Sequence, residues 1–201
     1  MVCSTETAQE RIVAVAQRLF AQHGFDGVSI NDIAAAAGVS KANVFHHAAS
    51  KAELYDRVLQ EACAVFTEGY ERLAALPGDF RQRLVALIEW HARHLREQPQ
   101  AARLVLRELT AWSEKPVQGP ADRCIGANLL RVQRLLEADG IATRPTIDAA
   151  FVTRVLLAVS WFRFQTQHLE ARVQSRRVRL RDREFAEQLA DLLLHGMLRA
   201  D

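Results

Sequence analysis

The chain is poor in the residues that make sites by themselves. Its 201 residues include three cysteines, Cys3, Cys63 and Cys124. They are odd in number and widely separated, which argues against a disulfide framework and against a zinc site, whose paired cysteines sit roughly two to four residues apart. Reduced thiols are the plain reading, and only Cys124, next to Arg123, has the cationic neighbour a redox-sensing thiol needs. Long apolar runs are also missing. None approaches the roughly 20 residues that span a bilayer, and the N-terminus MVCSTETAQERI has neither a charged leader nor an apolar signal core, so a cytoplasmic protein with no membrane partner is expected.

Charge of one sign is lacking as well. The net charge is +2, and in residues 1–51 Arg11, Arg18, Lys41 and Lys51 are balanced by Glu6, Glu10, Asp26 and Asp32. A diffuse basic footprint is therefore absent, and any contact with nucleic acid has to come from local geometry. No stretch alternates strictly between apolar and polar residues, and no repeat recurs at a fixed period, which disfavours strands and solenoids. GxSxG, P-loop and dinucleotide glycine patterns are missing, as are the paired Glu-x-x-His motifs of a di-iron bundle. No enzyme, no catalytic residue and no cofactor is expected. His91 and His94 are spaced for a shared metal but have no carboxylate or cysteine motif beside them, so no metal site is expected either.

What is present reads as helix. The hydrophobic fraction of 49% with 25% charged residues describes a globular chain able to bury a core. Pro77, Pro99, Pro116, Pro120 and Pro145 all fall between segments of helical periodicity, and Gly24, Gly38, Gly78 and Gly140 punctuate similar positions. An all-α fold of about nine helices follows. Their predicted spans are 7–23, 29–38, 41–47, 50–75, 79–97, 100–114, 121–138, 146–170 and 182–199, numbered helix 1 to helix 9 in chain order. Ser29 and Ser40 cap helices 2 and 3 through their hydroxyls, and Ser50 with Glu53 predicts a capping box at helix 4.

The stretch GVSKANVFHHAASKAEL, residues 38–54, holds a helix too short to be stable alone. Val39 and Val44 can reach inward to Ile30, Ile33 and Ala37, Ala34 is small enough for two helices to cross, and Gly38 permits the turn between them. That is a helix-turn-helix pattern. Its second helix presents Lys41, Ala42, Asn43, Phe45 and His46 outward, a mixture suited to the floor of a major groove. The alternative is a polar helical hairpin on the surface.

From Arg11 to Leu54 the sequence RIVAVAQRLFAQHGFDGVSINDIAAAAGVSKANVFHHAASKAEL resembles the tetracycline-repressor (TetR) family of bacterial transcription regulators. Helix 1 ends in LF and a glycine, a serine caps helix 2, and IA, AGVSK, an aromatic and histidine pair and SK follow in order. The resemblance implies that Ser29, Lys41, Phe45, His47 and Lys51 touch phosphates, with Ser40 capping the reading helix beside them. It places Ala42, Asn43 and His46 against bases, so that one set fixes register and the other reads sequence. Two positions depart from the pattern. Phe45 stands where tyrosine is usual, removing a hydroxyl contact, and Ala48 stands where a phenylalanine packs, a loss of about 2–4 kcal/mol unless another ring fills the space.

Beyond Leu54 the resemblance is loose and periodicity carries the reading. Residues 1–54 are taken as the DNA-binding domain and 55–201 as a regulatory and dimerisation domain. Helix 8 sets Ile147, Phe151, Val155, Ala158 and Phe162 on one side and Leu157, Trp161 and Phe164 on another. Helix 9 carries Phe185, Leu189 and Leu192 beside Ala186, Leu193 and Met197. Apolar on two sides, the pair suggests a four-helix dimer interface in which Phe151, Val155, Phe162, Leu189, Leu193 and Gly196 meet a second copy; a purely intramolecular core is the alternative. Trp90, His91 and His94 on helix 5, Trp112 on helix 6, and Trp161 and Phe164 on helix 8 combine bulky rings with a few polar groups. They are candidates for a small-molecule inducer pocket, and the same residues also describe an ordinary core. The segment RVQSRRVRLRDR, 172–183, reads as a solvated connection or, alternatively, an anion site.

The functional expectation is a DNA-binding repressor that leaves a palindromic double-stranded operator when a small, largely apolar ligand binds. The alternatives are a helical interaction protein with a degenerate helix-turn-helix and, more distantly, a helical-bundle enzyme.

Overall fold

The computed structural model describes residues 7–110, 120–137, 148–173 and 180–197, with the backbone alone at residues 120–122, 170, 171, 173, 196 and 197. Among these residues the secondary structure is entirely helical: α1 (Ala8–His23), α2 (Ile30–Ala37), α3 (Lys41–His47), α4 (Lys51–Ala74), α5 (Phe80–Glu97), α6 (Pro99–Thr110), α7 (Pro120–Glu137), α8 (Ala149–Val173) and α9 (Asp182–Met197). Helix 8 continues past its predicted end at residue 170. No helix among the described residues is long and apolar enough to cross a membrane.

Side chains supply the missing partners at the helix starts. Thr7 and Glu10, Ser29 and Asp32, and Asp79 and Gln82 form capping boxes at α1, α2 and α5. Ser50 Oγ accepts from the Glu53 amide at 3.1 Å, but the Glu53 carboxylate reaches one residue further back and accepts from the Ala49 amide at 2.8 Å. The predicted box at α4 is thus shifted by a residue, and it ties the α3–α4 connection to α4. At the end of α2, Gly38 has φ 66° and ψ 36°. With its amide bonding Ala35 and the Val39 amide bonding Ala34, it forms the paired bonds of a Schellman stop, which a side chain would strain.

By contacts the chain divides into two units, residues 1–65 with 99–125, and residues 66–98 with 126–201. In the first, α1 packs on α2 and on α6 around Ile12, Ala16, Phe20, Ile33, Leu54, Val58, Leu59, Ala102 and Leu104, all buried. Tyr55 lies edge-on to Phe20 and Phe25, with ring centroids 4.9 and 5.2 Å away. Its hydroxyl donates to the Glu108 carboxylate on α6. Burial, reinforced by that carboxylate, pushes the Tyr55 pKa up. Gly24, with φ 76°, ends α1 beneath the Arg107 side chain, so close that an added Cβ would lie 2.7 Å from Arg107 Nη2.

In the second unit α5 packs against α8 and α9. Leu84, Leu87, Ile88 and Leu95 of α5, Val152 and Leu156 of α8, and Phe185, Ala186, Leu189 and Ala190 of α9 are buried. Gly69 of α4 has the Trp90 ring against it, and a Cβ there would fall 1.8 Å from the ring's Cζ2. Asp182 at the start of α9 gathers Arg163 at 2.9 Å and Arg96 at 3.0 Å, while Arg163 also donates to the Leu180 carbonyl at 2.7 Å. Partial burial works against the Asp182 carboxylate, yet the two guanidiniums hold its pKa below the usual range. Of the basic segment, residues 174–179 lie outside the described residues. Arg183 pairs with Glu187 at 2.7 Å and Glu89 at 3.2 Å, and Arg172 and Arg181 are exposed.

Candidate functional site

The predicted reading helix is present over Lys41–His47 with Ser40 as its cap, whose hydroxyl accepts from the Asn43 amide at 3.1 Å. Val44 is its one buried residue; Lys41, Ala42, Phe45 and His46 are exposed, and His47 is half-buried against His46, ring centroids 5.2 Å apart. The outward face therefore has the composition expected of it. Asn43 is different. It is half-buried, and its side-chain oxygen is enclosed with no hydrogen-bond partner, so the amide lies partly tucked against the module.

At three further positions the structure adds contacts or exposure that bear on the expected DNA contacts. Lys51, expected at a phosphate, points its ammonium at the carbonyls of Phe25 (3.0 Å) and Val28 (3.1 Å) and sits 4.1 Å from the centre of the Phe25 ring. Two of its three donors thus close the α1–α2 connection, and one is left for any anion. Ser29 uses both its amide and its hydroxyl on the Asp32 carboxylate, at 2.8 and 2.6 Å. Those two bonds, the hydroxyl one first, hold the Asp32 carboxyl below its ordinary range, so a phosphate reaching Ser29 would compete with a charge already there. Phe45 is 43% exposed while Ala48 is 2% exposed, so Phe45 does not fill the space a larger residue at 48 would take. The chain closes on the small side chain instead.

The candidate ligand residues of α5 and α8 come together. Trp90 stacks on His94 at 5.0 Å, His91 meets Trp161 at 5.9 Å, and Trp161 meets Phe164 at 6.2 Å. Phe66 and Tyr70 of α4, not foreseen from the sequence, complete the cluster: Phe66 lies 4.6 Å from His94 and Tyr70 lies 5.3 Å from Trp90. Trp112 lies outside the described residues. The rings pack on one another, and Phe164 also borders a cavity of about 430 Å³ lined by Ala92, Ser160, Arg163 and Asp182. His91 Nδ1 and His94 Nε2 are buried without hydrogen-bond partners. Burial, with His94 adding to it, pushes the His91 pKa down to about 3, and burial also lowers that of His94. Both rings are therefore neutral at pH 7.

Residues 12–58 match the model of a family described as bacterial regulatory proteins, tetR family. That segment, α1 to the start of α4, is the family's helix-turn-helix region. Among curated proteins this chain is 34% identical over 104 residues to an uncharacterised helix-turn-helix transcriptional regulator of Mycobacterium tuberculosis. The match covers 51% of this chain and 48% of that one, so it spans about half the length of the curated relatives. Solved structures match over nearly the whole chain. The ketosteroid transcriptional regulator KstR2 of M. tuberculosis has a TM-score of 0.71 at 19% identity, covering 98% of both chains. AibR, solved with isovaleryl coenzyme A and operator DNA, has a TM-score of 0.66 at 21% identity, covering 94% of this chain and 96% of its own.

The candidate association face of this chain is an apolar stripe on α8. Phe151, Ala158, Phe162 and Leu169 are exposed and Val155 is half-exposed, positions that recur every three, four or seven residues along one side. Phe162 is 69% exposed and, on α9, Leu192 is 71% exposed, whereas Leu189, expected at the interface, is 5% exposed. Leu189 faces the chain's own core, so Leu192 replaces it on the outer face. Leu193 is half-buried, and Gly196 is described by its backbone alone.

Two outcomes follow. Lys51→Met keeps the stem but removes the donors and the charge, leaving two carbonyls without that partner. It should lower stability by about 1–3 kcal/mol, read as an earlier urea midpoint. Lys41→Met, fully exposed, should stay within about 0.5 kcal/mol of the parent chain. Equal midpoints for the two variants would remove the structural role of Lys51.

The second concerns acid. The folded pKa of His91 lies below its unfolded value of 6.5, so the unfolded chain takes up the proton first. The associated stability is intact at pH 7 and is lost as pH falls from about 6.5 towards 3, by at most about 1.4 kcal/mol per pH unit. Urea titrations at pH 7 and pH 5 should show a smaller acid loss for His91→Phe than for the parent. An unchanged loss would mean that His91 is not buried in its neutral form.

Proposed function

We propose that this chain is a homodimeric DNA-binding transcriptional repressor, with residues 1–54 as its reading module and 55–201 as its regulatory part. The observation that carries the reading is the outer face of α3. A short helix whose Val44 alone is buried shows solvent Lys41, Ala42, Phe45 and His46, which form a groove-reading surface and have no use in packing. Lys41, Phe45, His47 and, with its one remaining donor, Lys51 would set register on phosphates, with Ser29 and Ser40 at the helix starts. Ala42, His46 and Asn43 would face bases, Asn43 after its half-buried amide swings outward.

One such helix covers only a few base pairs, so two copies on a two-fold site are needed for useful specificity. The α8 stripe of Phe151, Val155 and Phe162, with the exposed Leu192 on α9, supports the second copy, because exposed apolar residues in such a row are normally covered. For the ligand, the ring cluster of Trp90, His91, His94, Trp161 and Phe164 supports a small, largely apolar molecule. AibR, of similar fold, was solved with isovaleryl coenzyme A, whose acyl group is small and apolar although its coenzyme A portion is charged. The two unpartnered histidine nitrogens would accept from, or donate to, its few polar groups.

Selection of binding sites from random duplexes, followed by gel shift, tests the reading. An interaction protein with a degenerate module would enrich no site. On the enriched site Lys41→Ala should weaken all duplexes alike, whereas Asn43→Ala should lose about 1–3 kcal/mol of discrimination at particular base pairs. Equal loss on enriched and random DNA would remove Asn43 as a reader. A true inducer that weakens this binding a hundredfold must prefer the released state by about 2.7 kcal/mol, and the operator must weaken the ligand by the same factor.

Phe162→Glu puts a charge on the exposed stripe without entering the core, so the fold should survive while sedimentation at micromolar concentration shifts from dimer to monomer. A parent chain that sediments as a monomer and still binds the enriched site would end the dimer reading.

A further inference from the structure

Widely spaced in sequence, Cys63 and Cys124 are brought together by α4 and α7. Cys63 is buried on α4, Cys124 is half-buried on α7, and the two thiols are neighbours within hydrogen-bonding reach. Their pairing belongs to a ladder. One turn further along both helices, Thr67 Oγ1 donates to Asn128 Oδ1 at 2.8 Å with the same sequence separation, and beyond it Glu71 meets Arg131 at 3.6 Å. These pairs fix the register of the two helices, so the thiol pair is a built position.

We infer that Cys63 and Cys124 form an oxidisable dithiol site, which a small hydroperoxide converts into a disulfide between α4 and α7. The division of labour follows from exposure. Cys124 is the thiol a peroxide can reach, and Cys63 waits behind it. Burial, and then the neighbouring Cys124, pushes the Cys63 thiol up, so Cys63 holds its proton and acts second.

The chemistry balances in two steps. Cys124 sulfur attacks one peroxide oxygen, the O–O bond breaks, and the thiol proton leaves with the departing alkoxide as an alcohol, or as water when the oxidant is hydrogen peroxide. The sulfur is oxidised to a sulfenic acid as the peroxide is reduced. Cys63 sulfur then attacks the Cys124 sulfur, the S–O bond breaks, and the leaving hydroxide takes the Cys63 proton to form water. No further oxidant is required, and a thiol reductant reverses the change.

The test uses the reduced full chain and hydrogen peroxide. Free thiols should fall from three to one, the intact mass should drop by two hydrogens, and non-reducing peptide mapping should join the peptides of Cys63 and Cys124. Dithiothreitol should restore all three thiols. In Cys63→Ser, and in Cys63→Ala should the serine variant unfold, Cys124 should stop at a sulfenic acid that dimedone traps. In Cys124→Ser no internal link should form.

Oxidation of Cys124 to sulfinic acid without a link, a disulfide that uses Cys3, or persistence of both thiols under peroxide would each overturn the proposal. Mass and thiol count are read without DNA, so a failure here leaves the proposed function standing, and a failed gel shift leaves the dithiol standing.

Discussion

A seven-residue helix with a single buried side chain cannot hold itself in place, and the reading face depends on whatever fixes α3 from both ends. At its start, Gly38 and the Schellman bonds stop α2 and aim the chain, and Ser40 caps the new helix. At its far end only Ala48, Ala49 and Ser50 separate it from α4. There the Lys51 ammonium gathers the Phe25 and Val28 carbonyls over the Phe25 ring, and that ring leans on Tyr55. One cation thus fixes the first turn of α4 relative to the α1–α2 connection, and α3 is strung between the two. A lysine used this way acts through the geometry it imposes on its neighbours.

The same lysine shows what sequence can and cannot convey. Caps and stops are local, so Ser29, Ser40, Gly24 and Gly38 were legible from spacing, and with them nearly every helix of the described chain. The burial of Val44 and the exposure of Lys41, Ala42, Phe45 and His46 followed from helical periodicity, whereas Asn43, expected outward with them, is half-buried. Lys51 was not legible, because its partners are carbonyls more than twenty residues away and a carbonyl leaves no mark in a sequence. The thiol pair was hidden for the same reason, since proximity of Cys63 and Cys124 depends on how α4 and α7 are laid together. On α9, Leu189 and Leu192 are nearly a turn apart, and a helix apolar on two sides does not announce which side is inward. Burial had to decide that.

The second unit carries an unusual load of enclosed polarity. His91 and His94 have ring nitrogens without partners inside a cluster of five other aromatic rings, and a buried, unsatisfied nitrogen costs about 1–3 kcal/mol. A chain selected for stability alone would place phenylalanine or leucine there. Gly69 points the same way. A mid-helix glycine costs about 1 kcal/mol relative to alanine, and here it lets the Trp90 ring lie directly against the α4 backbone. Trp90 in turn stacks on His94, so the helix-weakening glycine and the unsatisfied histidine serve one arrangement. Such concessions are expected where a site has to recognise something, and not where a core has only to fill space.

The connection between that arrangement and the reading module is short in the chain. His94 sits in the last turn of α5, α5 ends at Glu97, and α6 begins at Pro99, so Gln98 alone separates them. Along α6, Glu108 holds the Tyr55 hydroxyl and Arg107 lies over Gly24, where α1 ends. Tyr55 is also the ring against which Phe25, and through it Lys51, is set. A hydrogen bond to a charged group contributes about 1.5–3 kcal/mol net, the scale of a coupling that changes affinity a hundredfold. The Tyr55–Glu108 bond thus ties α6 to the first turn of α4, beside which α3 is strung.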